Sequence, residues 1–124
     1  MSLAAEKIVA FAATAAPSKA RRFYRDILGL KLVDDSPFAL VFDVKGTMLR
    51  VQIVDEVTPP KYTVVGWRVT DIEARVAQLK KRRVKFNRYE GLGQDRLGIW
   101  TSPSGARIAW FSDPDGNTLS LTQF

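Results

Sequence analysis

Three short stretches carry the side chains best suited to hold a ligand. In Met48-Leu49-Arg50-Val51-Gln52-Ile53, Arg50 and Gln52 alternate with Leu49, Val51 and Ile53. In Thr118-Leu119-Ser120-Leu121-Thr122, Ser120 and Thr122 alternate with Leu119 and Leu121. A period of two sends alternate side chains to opposite faces of a strand. The apolar sets then face a core, and Arg50, Gln52, Ser120 and Thr122 form a polar face with one permanent positive charge. A guanidinium offers a planar fork of donors, so a carboxylate, a phosphate or an enolate-like oxygen suits it. The same alternation also fits an ordinary half-solvated sheet. The third stretch, from Arg88 to Trp100, gathers Tyr89, Glu90, Asp95 and Trp100 around glycines, and reads as a flexible loop. Aromatics mixed with a few polar groups on a loop are common at small-molecule sites. Glu90 and Asp95 are its only carboxylates, so a base from this loop would be one of them. Gly91 and Gly93 do not begin a dinucleotide fingerprint, because position 96 is arginine and no strand-to-helix context follows.

Composition removes whole classes of chemistry. The 124 residues contain no cysteine and no histidine. Disulfides and thiolate catalysis are excluded, a reducing cytoplasm is the default, and the commonest metal ligand and general base are missing. Nineteen Lys and Arg against 13 Asp and Glu give a net charge of +6. The densest cations are Lys80-Lys81-Arg82-Arg83, followed by Lys85 and Arg88. They fall at the end of an expected helix, where positive charge complements the dipole. Aromatics do not interleave with them in a stacking pattern, so nucleic acid is not an expected partner. No apolar run approaches the roughly 20 residues of a membrane span, and Met1–Lys7 lacks a signal-peptide core.

These stretches need elements to position them. Lys7–Thr14 reads as a strand. Pro17 opens a helix that buries Ala20, Phe23, Ile27 and Leu28 and stops at Gly29. Leu30–Val33 is a short strand and Asp34–Pro37 a turn, before a hairpin that ends near Val54. Asp55–Pro60 is a linker. Tyr62–Val69 is a strand carrying Trp67. Thr70 caps the next helix, with Glu73 closing a capping box. That helix buries Ile72, Val76 and Leu79. Val84–Asn87 and Ile99–Thr101 are strands, and Asp113-Pro114-Asp115-Gly116 turns the final hairpin. The order repeats. An offset of 70 sets Asp113 on Asp43, Gly116 on Gly46 and Ser120 on Arg50. An offset of 55 sets Asp71 on Ala16 and Val64 on Val9.

Phe23-Tyr24-Arg25-Asp26-Ile27-Leu28-Gly29-Leu30, followed by Asp113-Pro114-Asp115-Gly116-Asn117, resembles the vicinal oxygen chelate superfamily of glyoxalase, bleomycin-resistance and extradiol dioxygenase proteins. The resemblance covers essentially the whole chain. It implies an α+β fold of two βαβββ modules, about 7–55 and about 62–124, in one domain 1–124. It also implies a pseudo-twofold between the modules, curved mixed sheets that form a cleft, and pairing into a homodimer. Enzymes of this superfamily hold a divalent metal on the first and last strands of each module. The matching positions here are Val9, Arg50, Val64 and Ser120, and such a set is not a metal site. The expectation is therefore no metal and no cofactor, no assigned catalytic residue, and a small-molecule ligand on Arg50, Gln52, Tyr89, Glu90, Asp95, Trp100, Ser120 and Thr122. An enzyme of the same superfamily with an atypical site is the alternative.

Overall fold

The computed structural model describes residues 2–124, and Met1 of the opening stretch lies outside them. The chain divides into two compact units, one ending at Thr58 and the other running Pro59–Phe124. Each is an α+β unit with the strand and helix order of a βαβββ module.

In the first unit, β1 (Val9–Thr14) leads to α1 (Pro17–Arg21), then β2 (Lys31–Asp35), β3 (Ala39–Val44) and β4 (Thr47–Ile53). The sheet order is β1-β4-β3-β2, with β1 parallel to β4 and the other pairs antiparallel. Pro17 does open the helix, since its missing N–H costs nothing at that position. The helix then widens into a π-helical stretch, Arg22–Ile27. Phe23 and Tyr24, adjacent in sequence, are both buried. A regular helix turns about 100° between neighbours, so burial of both departs from the simple spacing. Tyr24 packs on Phe42, with centroids 5.7 Å apart. Gly29 ends the helix at φ 77. Leu40, Phe42, Leu49 and Val51 face the same side and are buried, so the expected core parity holds. Two strand boundaries differ: β1 begins at Val9 rather than Lys7, and β2 runs Lys31–Asp35, on through the expected turn, with a bulge between Leu32 and Asp34. The turn starts instead at Ser36, whose Oγ accepts from the N–H groups of Phe38 and Ala39.

In the second unit, β5 (Thr63–Arg68) leads to α2 (Ile72–Lys81), β6 (Trp100–Thr101), β7 (Arg107–Ser112) and β8 (Thr118–Gln123). The order β5-β8-β7-β6 repeats the first sheet. Ile72 and Val76 of α2 are buried, as are Ala109, Phe111, Leu119 and Leu121 of the sheet beneath. Trp67 stacks on Phe111 at 6.4 Å, on this helix side. The helix cap is Asp71, not Thr70: its Oδ1 accepts from the Ala74 N–H at 3.1 Å. A carboxylate is a strong acceptor for the exposed N–H groups of a first turn. Glu73 is thereby one position too early for a capping box, and it pairs with Arg107 at 3.0 Å instead. The expected strand Val84–Asn87 shrinks to one bridge, Phe86 to Phe111. The outer strand is split, because Phe86 pairs with one end of β7 and Trp100–Thr101 with the other. The chain between them forms the loop that carries Tyr89.

The hairpin turns also differ. In the first unit Lys45 and Gly46 both have positive φ, 49 and 85, and form a two-residue connection. In the second, five residues from Asp113 to Asn117 connect Ser112 to Thr118. Asp43 thus stays in the ladder opposite Met48, whereas Asp113 has left it. The offset of 70 holds along the last strands and fails by one residue before the turn.

Candidate functional site

In the first unit the face away from α1 carries Val9, Phe11 and Ala13 of β1. It also carries Met48, Arg50 and Gln52 of β4, and Ala39, Val41 and Asp43 of β3, in matching rows. Arg50 is flanked by Phe11 on one side and Val41 on the other. The position opposite Arg50 is therefore Phe11, two residues beyond Val9, which stands opposite Met48. Arg50 is partly exposed, and its guanidinium has no ion pair among the described residues. Phe11 is 49% exposed. A groove of about 320 Å³ opens on the same face beside this row, lined by Val9, Val33, Val41, Asp43 and Met48, with Lys7 at its edge. Gln52 is exposed, opposite Ala13 and Ala39.

In the second unit the face away from α2 carries Gly66, Ser120 and Trp110 in one row. The next row holds Arg68, Thr122 and Ile108, with Trp100 opposite Ile108. Gly66 stands opposite Ser120, two residues beyond Val64, which falls in an irregularity of β5. The missing side chain makes room for the hydroxyl: a Cβ at Gly66 would come within 2.8 Å of Ser120 Oγ, which would have to turn away. Ser120 is 5% exposed and its hydroxyl has no hydrogen-bond partner among the described residues. Arg68, overlooked in the sequence, lies 5.3 Å from the centre of the Phe124 ring.

Trp110 is the centre of an aromatic group. The Tyr89 ring meets it edge-on at 5.5 Å, and Trp100 lies at 6.1 Å. The sequence points to Tyr89 and Trp100 but leaves Trp110 ambiguous. The missed signal is parity, since Trp110 alternates with the core residues Ala109 and Phe111. The loop is braced rather than slack. Gln94 Oε1 accepts from the Tyr89 N–H at 2.7 Å, and its Nε2 donates to the carbonyls of Asn87 and Gly98. Asp95 Oδ1 accepts from the N–H groups of Leu97 and Ile99, both at 2.9 Å. That carboxylate oxygen is engaged in holding the loop. Glu90 is exposed at its tip.

The positions that the resemblance assigns to metal ligands can be judged by their donors, unit by unit. Arg50 is a cation, Phe11 and Gly66 offer no side-chain donor, and Ser120 offers one neutral hydroxyl. With Val9 and Val64 in place of Phe11 and Gly66 the count is the same. Zinc needs nitrogen, thiolate or carboxylate, and calcium or magnesium needs several oxygens. Among the described residues, no three His, Cys, Asp or Glu side chains gather where they could hold an ion. The residues do not fit a metal. No helix among the described residues is long and apolar enough to cross a membrane.

A sequence profile described as "Glyoxalase/Bleomycin resistance protein/Dioxygenase superfamily" matches residues 8–121. Solved structures agree in fold. A superfamily member from Sphaerobacter thermophilus is 26% identical, with 94% of this chain and 97% of that one covered at a TM-score of 0.70. A glyoxalase/bleomycin resistance protein/dioxygenase from Alicyclobacillus acidocaldarius is 20% identical, with 100% and 95% covered at 0.69. A lactoylglutathione lyase from Agrobacterium tumefaciens is 18% identical, with 95% and 93% covered at 0.69. No curated protein matches the chain.

Proposed function

The chain belongs to the glyoxalase/bleomycin resistance protein/dioxygenase superfamily, and we propose that it is a metal-free binding protein that holds a small anionic or aromatic molecule. One observation carries the reading: an arginine without an ion pair stands where the superfamily resemblance implies a metal ligand. Phe11 and Val41 stand beside Arg50 in the sheet, so its neighbours across the ladder are apolar. A carboxylate, phosphate or enolate-like oxygen would accept its hydrogen bonds, which are charge-assisted and often bidentate. In the first unit Gln52 would orient the polar part of such a ligand. In the second, Ser120 and Thr122 would orient a ligand's polar part and Tyr89 and Trp100 would meet its flat part, with Glu90 at the rim. A lyase or dioxygenase-like reaction gains no support from Asp95, whose oxygen already accepts two backbone N–H groups.

Metal analysis of desalted protein tests the first half of the proposal, and stoichiometric zinc, nickel, iron or manganese would refute it. For the second half, Arg50→Ala is expected to weaken an anionic ligand by about 1.5–3 kcal/mol, the usual range for a hydrogen bond to a charged group. Association into a homodimer belongs to the same proposal. Light scattering that returns 13.9 kDa would count against it.

A further inference from the structure

We infer that the row Gly66–Ser120–Trp110 is a subsite for a neutral, planar ring that presents one hydroxyl or similar polar atom. The inference deepens the binding proposal and rests on it, but its residues differ from those that would hold an anion.

Three observations meet in this row. The first is a missing side chain. β5 is otherwise built of Thr, Val, Trp and Arg, and a glycine within a strand loses both packing and propensity. Gly66 is exposed, and a methyl group placed on it would strike Ser120 Oγ at 2.8 Å. The absent Cβ therefore leaves a notch beside the hydroxyl. The second is the hydroxyl itself. Ser120 is 5% exposed and its hydroxyl has no hydrogen-bond partner among the described residues, while no fully buried polar side-chain atom among them lacks one. The Ser120 oxygen is thus a donor and acceptor still within reach of a small partner. A ligand that offers a donor or acceptor there can pair with it directly. The third is the wall. Trp110 lies across the ladder from Ser120, and Tyr89 and Trp100 hold its ring in place. An indole held by two aromatic neighbours is a preorganised surface for a flat ring.

The row has no charge of its own. Arg68, the cation of the neighbouring row, lies over Phe124. The ring that fits is accordingly neutral, with its polar atom at Ser120 and its flat face towards Trp110.

Two probes with one ring test this. 1-Naphthol is neutral at neutral pH and carries a hydroxyl, and 1-naphthoate carries a carboxylate. Each is titrated while tryptophan emission is followed, with thermal melts to show that every variant is folded. For 1-naphthol, Ser120→Ala is expected to raise Kd about fivefold, the worth of one hydrogen bond. Gly66→Ala is expected to raise it about tenfold or more, as overfilling a packed notch does. The double variant Gly66→Ala/Ser120→Ala removes the clash, so binding weaker there than in Ser120→Ala alone reports the filled notch rather than a distorted strand. Ser104→Ala, in a distant turn, serves as the control. If 1-naphthol binds the wild type but ignores both Gly66→Ala and Ser120→Ala, the subsite is wrong. If neither probe binds the wild type, the subsite and the binding proposal both fall. If 1-naphthoate still depends on Arg50 while both probes ignore the notch, only the subsite is wrong. If 1-naphthol depends on the notch but 1-naphthoate ignores Arg50, the anion reading alone fails.

Discussion

Where the last strand meets the first, one unit sets Arg50 beside Phe11 and the other sets Ser120 beside Gly66. The backbone rows correspond and the chemistry does not. The first unit offers a guanidinium between apolar neighbours. The second offers a nearly buried hydroxyl, a missing side chain and an indole braced by two more aromatics. The outer strands differ in the same way. β2 passes through with one bulge, whereas its counterpart is split by the loop that brings Tyr89 to Trp110. The repeated topology therefore acts as a frame, and the residues grafted on each copy set its chemistry.

The largest expected contrast lies in the hairpin turns. Asp113 is 5% exposed and accepts from the N–H groups of Asp115 and Asn117 and from Asn117 Nδ2, at 2.9–3.0 Å. Asp113→Ala strands these donors, and denaturant melts should show a loss of about 2–4 kcal/mol, from a penalty of 1–3 per buried group. Asp43 is exposed and accepts only from the Gly46 N–H at 3.1 Å. Asp43→Ala should cost under about 1 kcal/mol. Equal losses would mean that the two turns do the same work after all.

The helix ends give a smaller contrast. α2 stops with Arg83 at φ 68, its N–H bonded to the Lys80 carbonyl and the Val84 N–H bonded to that of Leu79. A glycine suits that left-handed position, as Gly29 does after α1 at φ 77. Arg83→Gly should stabilise by about 1 kcal/mol, and Gly29→Ala should cost about as much. At the helix starts, Asp71 caps α2 with its side chain, while Ala16 gives α1 no side-chain cap. Asp71→Ala should cost about 1 kcal/mol and Ala16→Asp should recover part of that for the first unit.

The smallest effect is a pH dependence in the first unit. Arg21 holds Asp35 through two hydrogen bonds, of 2.8 and 3.1 Å, and these hold its carboxyl below the ordinary value. A depressed carboxylate contributes stability above its unfolded pKa and loses it as pH falls through the folded one. Asp35→Asn should therefore melt slightly below wild type at neutral pH, and the gap should close in acid. The pair is exposed, so the difference should be small.

Much of this frame is legible in the sequence because it rests on local rules. Pro17, Gly29 and the Asp113–Gly116 turn are fixed by φ and by side-chain acceptors close at hand. The alternation of Leu49, Val51, Leu119 and Leu121 shows which faces are buried, and the offset of 55 correctly pairs Ala16 with Asp71 as helix caps. What the sequence hides depends on partners far along the chain. Neither the neighbours of Arg50 and Ser120 nor the split of the outer strand can be read from spacing, because each is set by strand register. Trp110 is ambiguous until Tyr89 and Trp100 are placed around it. Asp95 reads as a free carboxylate until its bonds to Leu97 and Ile99 are seen.

The most direct test of the account is the binding of 1-naphthoate to chelator-treated protein, wild type against Arg50→Ala. The account predicts binding that survives removal of metal and weakens about 10- to 150-fold in the variant, the equivalent of 1.5–3 kcal/mol. Binding that needs added metal, or that Arg50→Ala leaves unchanged, would contradict it.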